Sequence, residues 1–89
     1  MADPRLKAKI KDELERTYFG EPEDAVSVSD SDEPGDHIHV VIVSPKFRGK
    51  RLREKSNLIL SQLYQSLSPD EWGKVTLSIG VSPEQVKAI

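Results

Sequence analysis

His37-Ile38-His39-Val40-Val41-Ile42-Val43-Ser44 decides how the rest of the chain is read. Successive side chains of a strand point to opposite faces, so Ile38, Val40 and Ile42 share one side and His39, Val41 and Val43 the other. The far end is apolar on both faces and rich in β-branched residues, the pattern of a strand with neighbours on either edge. His37–Ser44 is thus predicted to be the central strand.

Upstream, Ala25 to Ser29 alternates through Val26 and Val28, and the polar stretch Asp30–Asp36, with Pro34 and Gly35, forms a turn. The two strands predict an antiparallel hairpin with a long acidic tip. Before it, Asp3-Pro4 offers an acceptor side chain and then a proline, a favoured helix start. Leu6, Ile10, Leu14 and Tyr18 recur every fourth residue and predict one apolar stripe, ended by Gly20 and Pro22.

Downstream, Pro45–Lys50 is a loop holding Phe47 and Gly49. A helix is expected from about Arg51 to Leu67, with Leu52, Ile59, Leu60, Leu63 and Leu67 as its apolar face. Ser68-Pro69-Asp70-Glu71 reads as a cap or one short turn. Lys74 to Ile79 sets Val75, Leu77 and Ile79 against Thr76 and Ser78, a third strand with one apolar side. Strand, long helix, strand predicts a right-handed crossover joining parallel strands. Ser82-Pro83-Glu84-Gln85 caps a last short helix, with Gln85 placed for a capping box. The order αββαβα gives an α+β fold, a three-stranded mixed sheet with helices packed on one face.

At 89 residues the chain has room for one domain, since domains commonly run to roughly 100–200. It has no cysteine, which excludes disulfides, thiolate metal sites and cysteine nucleophiles. Its longest apolar run, Val40–Val43, falls far short of the roughly 18 residues of a membrane span. Met1-Ala2-Asp3-Pro4-Arg5 carries no secretory core, so a soluble, cytoplasmic protein without a membrane partner is expected.

The net charge of -2 conceals a segregation. Between Phe19 and Asp36 lie Glu21, Glu23, Asp24, Asp30, Asp32, Glu33 and Asp36 and no basic residue. Between Lys46 and Lys55 lie Lys46, Arg48, Lys50, Arg51, Arg53 and Lys55 against Glu54 alone. These cations occupy a loop and the first turns of a helix, where backbone donors and the positive end of the helix dipole also point outward. Cations at a helix start are locally unfavourable, so the cluster is expected to serve something other than stability, and phosphates are the ligands that such clusters suit. Gly49 beside it lets a backbone approach closely. The candidate nucleic-acid site is Lys46, Arg48, Gly49, Lys50, Arg51, Arg53 and Lys55, for DNA or RNA. Two solvated surfaces of opposite sign are the bland alternative. Phe47 reads as core over the sheet's end, with base stacking the alternative.

No phosphate loop, nucleotide fingerprint or hydrolase elbow is present, and an enzyme is not expected. His37 and His39 stand two apart on a strand and cannot chelate one ion together without a bulge. They read as a strand-edge and a surface histidine, and no metal site is assigned; His37 is the residue a ligand role would fall to. The acids of 30–36 lack the spacing of a calcium loop. They suit the basic patch of a neighbouring copy, so a monomer or weak dimer is expected.

The segment Val41-Ile42-Val43-Ser44-Pro45-Lys46-Phe47-Arg48-Gly49-Lys50 resembles the BolA family. So do the strand opening His37-Ile38-His39-Val40 and the ending Ser82-Pro83-Glu84-Gln85. The likeness spans nearly the whole chain and implies a single BolA-like domain over 1–89, related to the RNA-binding KH fold of class II. It implies a non-enzymatic protein: a nucleic-acid-binding regulator of transcription in stress response or morphology or, alternatively, a partner of monothiol glutaredoxins in iron homeostasis, sharing a 2Fe-2S cluster. The family's Arg-His-Arg triplet is replaced by Lys55-Ser56-Asn57, and Lys74 occupies the position of the cluster-ligating histidine. The cysteine or histidine of the hairpin loop is missing, with His37 only at its edge. A protonated lysine is not an iron ligand, so no cofactor is expected and cluster sharing is disfavoured.

Overall fold

The computed structural model describes residues 3–31 and 35–87. Asp32, Glu33 and Pro34 of the acidic tip lie outside the described residues. The elements are α1 (Pro4–Thr17), β1 (Ala25–Asp30), β2 (Ile38–Val43), a 3₁₀ turn (Pro45–Phe47), α2 (Leu52–Ser66), α3 (Pro69–Trp72), β3 (Val75–Val81) and α4 (Pro83–Lys87). The sheet runs β1-β2-β3, with β2 central, antiparallel to β1 and parallel to β3. The α+β class, the central strand and the parallel crossover pair are those expected. The short α3 is the capped turn at Ser68, where Ser68 and Glu71 each accept the other's backbone N–H.

The core lies between the sheet and the helices α1 and α2. Leu6, Ile10 and Leu14 of α1 meet Val26 of β1, Ile38, Val40 and Ile42 of β2, and Ile59 and Leu63 of α2, with Phe19, Phe47 and Leu67 closing the ends. Asp3 caps α1 by accepting from the Arg5 amide at 2.9 Å, with Pro4 in the first turn. No helix among the described residues is long and apolar enough to cross a membrane.

Three expectations fail in detail. Tyr18 does not continue the α1 stripe: it is the residue after the helix and is 39% exposed, while Phe19 takes the core position. Both the Tyr18 and the Phe19 amides bond to the Leu14 carbonyl, which turns the chain off the helical period one residue early. Leu52 is 69% exposed, because α2 opens beyond the part covered by sheet and α1, and the next inward position is filled by Lys55.

The third concerns β3. Ile38 pairs with Val75 and His39 with Leu77, so Thr76 has no partner and forms a β-bulge. One extra residue reverses the faces of everything after it. Leu77, Ile79 and Val81 therefore stand beside His39, Val41 and Val43 on the side away from the core, while Ser78 and Gly80 face the helices. Phe47 explains the need. A Cβ on Gly80 would lie 2.7 Å from the tip of the Phe47 ring, so the inner face at that level has room for a glycine only.

Candidate nucleic-acid interface

The chain leaves β2 through Ser44, a buried residue whose hydroxyl accepts from the Lys46 amide at 3.1 Å and so starts the 3₁₀ turn. The same hydroxyl donates to Asp24 Oδ1 at 2.5 Å, and Lys46 Nζ donates to Asp24 Oδ2 at 2.6 Å. The Asp24 side chain is 0% exposed. Burial raises the pKa of that carboxyl, but the Lys46 ammonium, the Ser44 hydroxyl and the Glu21 amide together outweigh it, and the net shift is downward. Lys46 Nζ also lies 5.2 Å and 5.8 Å from the ring centres of Tyr18 and Phe19. One clasp thus ties the loop before β1 to the loop after β2.

Arg48 pairs with Glu84 at the start of α4. Its hydrogen bond holds the Glu84 carboxyl at about 2, and the Arg48 pKa rises in return. Lys55 is 6% exposed, and its Nζ donates to Gln85 Oε1 at 3.0 Å. That oxygen also accepts from the Ser82 amide at 2.8 Å, completing the expected capping box of α4. So Lys46 and Lys55 lie inward and Arg48 lies across α4.

Gly49, Lys50, Arg51 and Arg53 form the other half of the basic run. Gly49 adopts a φ of 74°, a left-handed turn with open space where a side chain would be. Lys50, Arg51 and Arg53 are exposed and, among the described residues, take part in no ion pair. Arg51 precedes α2 without offering an acceptor to its first amides, although Glu54 reaches back to the Arg51 amide at 3.1 Å. The first turn of α2 therefore carries exposed cations on either side of the Glu54 carboxylate, with Leu52 projecting among them. The sequence located this surface but gave no sign of the Lys46–Asp24 clasp, whose partners stand apart in the chain and meet only through the sheet.

At the other end of β2, Lys74 pairs with Asp36, which raises the pKa of the amine and lowers that of the carboxyl. The Lys74 carbonyl accepts from the Ile38 amide at 2.8 Å. Among the described residues no three His, Cys, Asp or Glu side chains are grouped to hold a metal ion. His39 sits on the outer face of the sheet and His37 just before β2.

A mixed sheet in the order β1-β2-β3 under α1 and α2, with the 3₁₀ turn and Gly49 leading into α2, defines the class of fold. The particular fold is that of the BolA-like proteins. A Bol-like protein of Babesia bovis is 21% identical, with a TM-score of 0.64 over 92% of this chain and 90% of its own. Mouse BolA1 is 19% identical, with a TM-score of 0.65 over 99% of this chain and 73% of its own. Arabidopsis thaliana BolA1 is 17% identical, with a TM-score of 0.60 over 90% and 94%. At these identities the likeness is one of fold. No protein-family model matches the sequence, and no curated protein matches it.

Proposed function

We propose that the chain is a BolA-like, non-enzymatic regulator of the cytoplasm that binds DNA or RNA along Gly49, Lys50, Arg51 and Arg53. The observation that carries this reading is the division of the basic run: Lys46 and Lys55 support the loop, while three exposed cations flank the start of α2. Phosphate oxygens suit such an arrangement because helix amides and guanidinium groups both donate to them. The test is titration of labelled protein with short duplex DNA and single-stranded RNA, wild type against the double variant Arg51→Glu/Arg53→Glu. Three phosphate contacts give log Kd against log salt a slope of about 3, and the double variant abolishes binding at an unchanged melting temperature. Unchanged affinity in the folded double variant overturns the site.

Leu52 favours a second reading, since an exposed leucine among cations suits a protein partner better than a phosphate backbone. In that reading the chain is an adaptor that docks on a monothiol glutaredoxin without a shared 2Fe-2S cluster, Lys74 and Asp36 being paired where a ligand would stand. Co-elution with apo-glutaredoxin that Leu52→Ser abolishes supports it; separate elution dismisses it.

A further inference from the structure

The bulge at Thr76 gives the sheet a second apolar side. Three rows of register partners cross it: Ala25, Val43 and Val81; Ser27, Val41 and Ile79; Ser29, His39 and Leu77. Six of the nine are Ala, Val, Leu or Ile, and none is Lys, Arg, Asp or Glu, in a chain that is 31% charged. None of the nine belongs to the core, and Leu77 is 40% exposed. Both long helices lie on the other side.

We infer that this face is where two copies of the chain pack together, sheet on sheet. Charge selects this occupant. A two-fold contact sets a patch against its own copy, so every charge in it meets its like. The basic loop fails that condition, and the uncharged sheet face meets it. Rows of small and β-branched side chains are also what aligned sheets about 10 Å apart interdigitate. Area then sets the strength. Three strands about 4.8 Å apart and about 20 Å long cover about 300 Å² per copy. Stable complexes bury roughly 800 Å² per partner, so this dimer is weak and fills only at high concentration. The basic surface lies outside the nine residues, so a dimer presents two such surfaces. That consequence, unlike the dimer itself, rests on the proposed function.

The experiment is sedimentation equilibrium from about 20 μM to about 1 mM at low and high salt, a range chosen for a contact of this size. Wild type and Leu77→Lys are compared. The expected result is a mass that climbs toward twice the monomer, undiminished by salt, with Leu77→Lys raising the dimer Kd at least about tenfold. A monomer mass throughout overturns the inference. So does a dimer that salt dissolves and Leu77→Lys leaves intact, which assigns association to the acidic and basic stretches instead. If circular dichroism shows Leu77→Lys unfolded, isotope-filtered NOEs on wild type decide: methyl contacts of Ile79 and Val81 across copies support the dimer, and their absence at 1 mM overturns it.

Discussion

The two halves of the basic run carry the same chemistry into opposite environments. Lys46 is folded over aromatic rings onto a fully buried carboxylate, whereas Lys50, Arg51 and Arg53, a few residues on, are exposed and take part in no ion pair among the described residues. The difference lies in backbone anchoring. Ser44 fixes the turn that aims Lys46 inward, and the left-handed turn at Gly49 then swings the chain out before α2 begins. A run of like charges in sequence is therefore not one surface: Lys46 and Lys55 turn inward, and Lys50, Arg51 and Arg53 stand exposed.

The largest effect separating the halves belongs to Phe47, the core side chain between them. Phe47→Ala removes a buried ring packed on Gly80 and Phe19 and costs about 3–5 kcal/mol, measured by urea unfolding. Asp24→Asn comes next. It keeps the shape but leaves the Lys46 ammonium without its counter-charge, at a cost of about 2–3 kcal/mol. The same variant alters the acid limb. Asp24 and Glu84 both have folded pKa values below their unfolded ones, so their contribution is present above the unfolded values near about pH 4 and is lost as pH falls through the folded ones. Wild-type stability drops between about pH 5 and about pH 2, and Asp24→Asn shows a shallower drop in acid unfolding followed by circular dichroism. The smallest effect is Lys55→Met. Replacing a buried ammonium that has a neutral acceptor by an apolar chain of like size changes stability by under about 1.5 kcal/mol. Its nucleic-acid affinity stays within about twofold of wild type, while Lys50→Met, equally stable, binds more weakly.

The element order was legible because capping and breaking residues punctuate it. Asp3-Pro4, Ser68 with Glu71 and Ser82 with Gln85 each form the local bonds their spacing implies. Local rules did not reach the bulge. Val75, Leu77 and Ile79 alternate in sequence whether or not Thr76 is paired; what reverses the faces is the unpaired Thr76, and the Phe47 ring that fills the space over Gly80 comes from a distant loop. The candidate site shows the same limit. Composition located the cations, but their division depends on Asp24, Glu84 and Gln85, which reach them only once the sheet and α4 are in place. Tyr18 and Phe19 were distinguishable only by the turn at the end of α1, since either fills a core position.

The seat of Phe47 on Gly80 makes two distant positions a single variable. With the ring tip 2.7 Å from where a Cβ would stand, an alanine at 80 is admissible only if 47 carries something smaller. Neither change alone leads to the other without passing through a clash or a cavity. A sequence search for this fold can therefore weigh the phenylalanine and the glycine jointly, as one long-range signature, where a scoring scheme that treats each column alone sees two weak ones.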